Sequence, residues 1–405
     1  MAAHDHVPGR CPPVRRVVSG GASRLGSRTR KRVAMAPPSA LLLSGSLGMG
    51  HDVMAEACAV SLRRRGWTTD TVDSMRLMGH RRGGLGEAVF RGMLAVPGLY
   101  DAFHFGQLRS GGRLARFIDA ASCRYLVPAL DERLRDRPVE LLVSVFATGA
   151  AAASRIKERH PDVVNAVFCT DTCPHRLWVH DNTDLYLVTS DPAARYIRRF
   201  DPDAEITVVP APVRPQFYRA PTQAAAREAL GVPPDAECVL LISGAWGVGP
   251  LVEAADLIAR AGVHVLAVAG RNAGLESRLR SLAATTDRVV PFGFTDEIPT
   301  LMAAADLVVT SSGDTCAEAR VIGRDLLLLD VVPGHGRENL HQELVRGGAA
   351  VTSAQPEAIR RSVSACLRRV EPSSARSAGE PTAWEEAFGT MLERVGPAGW
   401  AAPAP

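Results

Sequence analysis

At 405 residues the chain is too long for one typical core, so two domains are expected. With 46% apolar and 22% charged residues it has the composition of an ordinary soluble globular protein. The formal charge of +4 resides in residues 1–39, which hold eight basic side chains (Arg10, Arg15, Arg16, Arg24, Arg28, Arg30, Lys31, Arg32) against Asp5. The remainder carries 39 basic and 42 acidic residues, a net of −3, which argues against a nucleic-acid partner.

Eight cysteines are scattered without a CxxC pair. Cys169 and Cys173 flank Asp171 at a spacing foreign to zinc knuckles, and no second pair exists, so no metal is expected. Free buried thiols in a reducing cytoplasm are the implied state. No apolar run reaches transmembrane length. Residues 1–39 lack the apolar core of a secretory signal and are rich in Arg, Pro, Gly and Ser. They read either as a disordered leader or as a mis-assigned start, with Met35 as the true one.

Ala40–Ser44 (ALLLS) is predicted as a strand, Gly45–Gly50 (GSLGMG) as a glycine loop, and His51 to about Arg65 as a helix stopped by Gly66. Trp67–Val72 is the second strand. The glycines run GxxGxG rather than GxGxxG, which argues against a dinucleotide fingerprint. The loop delivers His51 to a helix start at the strand's carboxyl end. An imidazole there is either a cap or, beside a second substrate, a base working near neutral pH.

Leu85–Phe105 is apolar and aromatic, interrupted by Pro97-Gly98 and accompanied by Arg76, Arg81, Arg82 and Arg91. Core packing accounts for most of it; a basic-flanked segment resting on an anionic membrane surface is the other reading. Leu114–Leu134 reads as helix, Val139–Phe146 as strand, Ala150–Glu158 as helix and Val163–Cys169 as strand. TDTCPHRLWVH follows at Thr170–His180, which puts Asp171 and His175 beyond a strand's carboxyl end, where open α/β sheets bind ligands. Asp184–Thr189, Ser190–Phe200 and Glu205–Val209 continue the alternation as strand, helix and strand, giving a doubly wound half.

Pro210–Pro221 holds four prolines and little periodicity, and reads as a linker. The expected division is therefore 40–210, linker 211–221, then 222–370, with 371–405 as a tail holding a possible helix at Trp384–Val395 and a Pro-rich disordered end. The second half restarts on a strand and a glycine loop, Gly244–Gly249. Its strands are expected at Cys238–Ser243, Val263–Ala269, Val289–Phe292, Leu307–Thr310 and Leu326–Leu329. The last expected helices of this half are Leu340–Arg346 and one over residues 356–369.

The stretch Asp306–Asn339 organises this half: a β-branched strand, Ser312-Gly313 and Thr315 where a helix opens, a second strand, and a glycine-rich loop into another helix. Free N–H groups and the helix dipole make an anion site at such an opening. Glu318, one turn on, lies near the same mouth, where a carboxylate accepts bonds from vicinal hydroxyls. These residues alone leave a nucleotide site and an ordinary βαβ turn equally open. Gly270-Arg271-Asn272 and Phe292-Gly293-Phe294 are turns at carboxyl strand ends.

That ordered series of loops and turns resembles the carboxyl-terminal domain of UDP-sugar glycosyltransferases of the GT-B fold, glycosyltransferase family 28. Within it the chain is most similar to monogalactosyldiacylglycerol synthase and diacylglycerol glucosyltransferases. Gly50-His51 resembles the family's glycine–GH loop. Thr170–Ser190 (TDTCPHRLWVHDNTDLYLVTS) resembles its T-D-x-x-x-H-x-x-W-x-H…D-x-Y-x-V stretch. The resemblance covers roughly residues 40–370.

It implies an α/β protein of two Rossmann-like domains facing a central cleft, acceptor-binding first and UDP-sugar-binding second. The implied activity is inverting, metal-independent transfer of a hexose, galactose or glucose, to a lipid, in particular 1,2-diacylglycerol. No cofactor is implied, the UDP-sugar being a substrate, and the implied location is the cytoplasmic face of the cell membrane, held peripherally. His51 would be the base, with Asp171 and His175 as a second polar pair. Gly244, Gly247, Gly249, Gly313 and Thr315 would hold the diphosphate, Glu318 the ribose, and Arg271, Asn272 and Phe294 the uracil. His335 and Asn339 belong to the loop that contacts sugar hydroxyls in relatives.

Three departures are visible. Ser312-Gly313-Asp314-Thr315 stands for G-G-x-T, Pro333-Gly334-His335-Gly336-Arg337-Glu338-Asn339 for P-G-Q-E-x-x-N, and Asp325 for a usual proline. They open two rival readings. One is another enzyme on this fold, a transferase to a soluble acceptor or a UDP-sugar epimerase; the other is a non-catalytic UDP-sugar sensor.

Overall fold

A computed structural model describes residues 37–45, 50–79, 92, 97–242, 249–369 and 382–395. Residues 1–36 of the expected leader, Gly48 of the first glycine loop, Gly244 and Gly247 of the second, residues 85–91, 93–96 and 370–381, and the Pro-rich end lie outside them.

The described chain builds two six-stranded sheets, parallel throughout. The first contains β1 (Ser39–Ser44), β2 (Thr68–Asp73), β3 (Leu141–Ser144), β4 (Val164–Cys169), β5 (Leu185–Val188) and β6 (Ile206–Val208), in the order β2-β1-β3-β4-β5-β6. The second contains β7 (Cys238–Ile242), β8 (His264–Val268), β9 (Val289–Phe292), β10 (Leu307–Thr310), β11 (Asp325–Asp330) and β12 (Ala349–Ser353), in the order β12-β11-β10-β7-β8-β9. Leu41–Leu43 and Leu307–Val309 are buried, as strands covered on both faces require. In each sheet the order reverses beside the first strand, so β1/β3 and β7/β10 are the switch points where a ligand crevice forms at the carboxyl ends. β1 and β3 align from Ala40↔Leu141 to Leu43↔Ser144, and β7 and β10 from Val239↔Leu307 to Leu241↔Val309.

Helices cover both faces of each sheet. Against the first, helix Gly50–Arg63 packs on one side, and Arg113–Asp136 with Ala147–Lys157 on the other. The possible helix near the carboxyl end is Thr382–Val395, and it belongs to the first sheet's core rather than to a tail. Trp384 stacks on Phe168 at 5.5 Å and donates its indole N–H to Ser61 Oγ at 2.9 Å. Glu385 receives both Arg64 and Arg65.

Two further differences have local causes. β12 was not anticipated, because AAVTS offers one branched apolar residue and follows Gly347-Gly348. The glycine-rich loop is shorter than expected: the helix starts at His335, not Leu340, so His335, Glu338 and Asn339 project from its first turns. The Pro210–Pro221 linker is anchored, since Phe217 is buried in the core of the second sheet. Within Leu85–Phe105, Pro97–Phe103 is helical and His104–Leu108 forms a π turn, with Tyr100 and His104 buried while Leu99 and Phe105 are exposed.

Candidate active site

His51 enters the site from the β1/β3 switch point. Its Nδ1 lies 2.7 Å from the Val145 carbonyl, just past β3, and its ring meets Phe146 edge-on at 5.0 Å. A carbonyl only accepts, so Nδ1 carries the proton and Nε2 keeps its lone pair. The next residue, Asp52, accepts from Ser44 Oγ at 2.5 Å, which ties the helix start to the end of β1.

Asp171 and His175 follow β4, as expected. Trp178 donates to Asp171 Oδ2 at 2.8 Å, while His175 Nε2 stands 3.8 Å from the same oxygen, an ion-pair distance rather than a hydrogen bond. Burial pushes His175 down to about 4 against the pull of Asp171. Burial alone would raise Asp171; the positive potential of His175 and His335 together with the Trp178 bond outweighs it, holding the carboxyl below its usual range.

On the opposite wall, β10 ends in Ser311-Ser312-Gly313 and helix Asp314–Ile322 begins. Thr315 is half-buried in its first turn. Gly313 is exposed with extended backbone (φ 171°), and a Cβ added there would meet nothing within 4 Å. Glu318 is 5% exposed and takes Arg214 Nε and Nη2 on one oxygen, Oε1, at 2.9 and 2.7 Å. Burial pushes it up to about 7 in spite of Arg214. Asp314, the variable position of the expected motif, reaches across the cleft: a Cβ on Gly50 would lie 2.8 Å from Asp314 Oδ2. Burial raises the Asp314 carboxyl, with His51 and Arg214 opposing. The two helix starts, Gly50-His51 and Gly313-Asp314, therefore face one another.

Gly249 precedes the helix that follows β7, at φ 109°. Arg271 lies over the Phe294 ring at 4.7 Å, an exposed pair at the carboxyl ends of β8 and β9. Asn272 Oδ1 accepts from Leu275 N at 3.0 Å, so this side chain caps a helix. These three make their contacts at that edge of the second sheet, apart from the histidines. Asp306, at the amino end of β10, is structural: it receives Arg227, Cys238 N and Gln223.

The third wall is the Pro333–Asn339 segment, gripped by residues of the first half. His335 Nδ1 lies 2.9 Å from Tyr100 OH, Glu338 Oε2 3.0 Å from His104 Nε2, and Glu338 Oε1 3.0 Å from Arg109. Asn339 Oδ1 accepts from Thr172 Oγ1 at 2.6 Å. Burial lowers His335, and His104 and His51 act in the same direction. The Nδ1 atoms of His104 and His175 are buried without a partner. Among the described residues, no cluster of His, Cys, Asp and Glu is arranged to hold a metal ion. A cavity of about 670 Å³ opens beside Glu338, between helices Asp191–Arg198 and His335–Arg346, with Arg195, Arg199 and Arg337 in its lining.

Sequence reasoning missed Tyr100, Asp101, His104, Arg109, Thr172, Arg214 and Asp314 as parts of this site. One signal is present: Tyr100 and His104 are four apart and share a helical face.

The model of the monogalactosyldiacylglycerol (MGDG) synthase family matches residues 101–205. A processive diacylglycerol beta-glucosyltransferase of Bacillus pumilus is 31% identical over 209 residues, 50% of this chain and 54% of that one. Monogalactosyldiacylglycerol synthase 1 of Arabidopsis thaliana is 27% identical over 260 residues, 59% of this chain and 48% of that one. The chain thus spans about half the length of the curated relatives it matches. Among solved structures, Arabidopsis thaliana UGT89C1 complexed with UDP superposes with a TM-score of 0.56 at 14% identity, covering 88% of this chain and 99% of that one. UDP-GlcNAc 2-epimerase from Neisseria meningitidis gives 0.55 at 11% identity, covering 88% and 100%. The chain has the GT-B fold of glycosyltransferases and is similar in sequence to the diacylglycerol glucosyltransferases and monogalactosyldiacylglycerol synthases.

Proposed function

We propose that the protein transfers a hexose, galactose or glucose, from a UDP-sugar to 1,2-diacylglycerol, with inversion and without a bound metal. The observation that carries this reading is His51: its Nδ1–H is fixed on the Val145 carbonyl, and its basic Nε2 is left at a cleft whose far wall is the start of helix Asp314–Ile322. In a single displacement Nε2 takes the proton of the acceptor hydroxyl as that oxygen attacks the sugar's anomeric carbon. The bond to UDP breaks on the opposite face, so the configuration inverts. The departing diphosphate gains negative charge, which the free N–H groups and dipole at the Gly313–Thr315 helix start stabilise. Glu318 receives the ribose hydroxyls and the Arg271–Phe294 pair flanks the base. Such a site draws its charge stabilisation from amides, which supports independence from metal.

A lipid acceptor fits the outer face of the first half. Leu114, Phe117 and Ile118 are exposed at one-turn spacing on helix Arg113–Asp136, where Arg113, Arg116 and Arg124 are exposed too, and Leu99 and Phe105 are exposed in the preceding segment. Apolar side chains rimmed by arginines suit an anionic bilayer surface. No helix among the described residues is long and apolar enough to cross a membrane. The test is UDP release from UDP-galactose and UDP-glucose in diacylglycerol micelles, with and without a chelator, and the anomeric configuration of the glycolipid read by NMR. Release that needs diacylglycerol, resists chelation and yields the inverted anomer supports the proposal. Release in water alone, or a retained anomer, contradicts it.

A further inference from the structure

The segment carrying His335 is held in shape by the other half of the molecule. Gly334 sits at φ 61°, and a Cβ there would lie 2.5 Å from Tyr100 Cε1 and 3.0 Å from His104 Cβ. Asp101 completes the grip: its Oδ1 accepts from Gly334 N and its Oδ2 from Arg337, both at 2.7 Å. One helical turn and the π turn after it, Tyr100 to Arg109, thus clamp the start of helix His335–Arg346.

The clamp decides which polar groups remain for a ligand. Arg337 is taken by Asp101 and Asp330, Glu338 by His104 and Arg109, and Asn339 Oδ1 by Thr172. Gly336 presents no side chain, and any Cβ there would meet Val332 at 2.5 Å. His335 uses Nδ1 on Tyr100 and keeps Nε2.

We propose that Tyr100 is a positioning residue for donor-sugar recognition: from the acceptor-side half, its hydroxyl fixes the orientation of His335 so that Nε2 meets a hydroxyl of the transferred hexose. This rests on the donor site proposed above. The ring of Tyr100 stands perpendicular to His335, with centroids 5.8 Å apart, so packing and hydrogen bond restrain the same imidazole. Burial and the carboxylates of Asp171, Glu338 and Asp101 raise the Tyr100 hydroxyl, which keeps its proton and acts as the donor. The neutral imidazole then carries its own proton on Nε2, a donor toward a sugar oxygen. Donor choice is in this way read jointly by both halves, and only when they are together.

The experiment measures kcat/KM for UDP-galactose and UDP-glucose with diacylglycerol micelles. It compares the full-length wild type, Tyr100→Phe, His335→Ala and the double variant. UDP affinity by calorimetry and melting temperature are measured on the same samples. Tyr100→Phe is expected to keep UDP affinity, to lower kcat/KM for the preferred donor about tenfold, and to shrink the ratio between donors. In the His335→Ala background it is expected to add nothing, because it acts through His335. Unchanged donor ratios, or single effects that multiply in the double variant, overturn the proposal while UDP binding keeps the donor site standing. A wild type that binds no UDP overturns both.

Discussion

Gly313 and Gly334 are glycines for different reasons, and the difference is measurable. Gly313 has extended backbone and open space around its missing side chain. Gly313→Ala is therefore expected to leave the melting temperature within about 1 °C, as for a surface change. It is expected to weaken UDP binding about tenfold or more by crowding the diphosphate. Gly334 has φ 61° and Tyr100 against it, so Gly334→Ala is expected to cost about 1–3 kcal/mol in urea unfolding. Equal effects on stability would contradict this assignment.

Two buried groups give opposite slopes of stability with pH. His175 is pushed down to about 4 from 6.5, so between those values the unfolded chain binds a proton that the folded one does not. Its contribution falls as pH drops from 6.5 to 4. Glu318 is pushed up to about 7 from 4.5, so the folded state holds a proton that the unfolded one has released, and its contribution falls as pH rises from 4.5 to 7. Melting curves of His175→Gln are expected to lose part of the wild-type decline on the acid side. Those of Glu318→Gln are expected to lose part of the decline toward pH 7. A variant whose pH profile merely shifts in parallel with the wild type contradicts the corresponding assignment.

At the scale of elements, most strands were legible because β1, β3 to β5, β7, β8 and β10 are short apolar runs bounded by turn residues, as strands buried on both faces are. β12 was not, since its residues are small and its place is set by pairing with β11 from Leu326↔Ala349 to Asp330↔Ser353. The Leu85–Phe105 segment reads as core or membrane face, and its described part is neither alone. Tyr100 and His104 turn inward to polar partners on a distant helix, a pairing that no local pattern encodes. His51, Asp171 and His175 were legible because each follows a strand's carboxyl end. Arg214 was hidden in a proline-rich linker, and Asp314 behind a variable motif position. The final helix was visible but its destination was not. Phe388 is fully buried against the first sheet, so Phe388→Ala is expected to cost about 3–5 kcal/mol in urea unfolding. A loss below 1 kcal/mol would show that the helix is dispensable.

For the whole molecule, the two sheets matter because each offers a switch point to the same cleft, one bringing His51 and the other the Gly313–Thr315 helix start. The exposed apolar and arginine-rich face lies on the half that carries His51, so attachment to a bilayer would leave the donor half free. Sedimentation with anionic vesicles is expected to decrease in Phe117→Ser/Ile118→Ser, both exposed, with UDP affinity unchanged. Binding that ignores these residues would contradict attachment through this face. Hexose transfer with His51 as base is tested by UDP release with diacylglycerol, comparing wild type with His51→Ala at matched UDP affinity. The wild type is expected to turn over and His51→Ala to fall by roughly 10²–10⁴-fold, the usual worth of a general base. Absence of diacylglycerol-dependent release from the wild type, or turnover by His51→Ala near the wild-type rate, would contradict it.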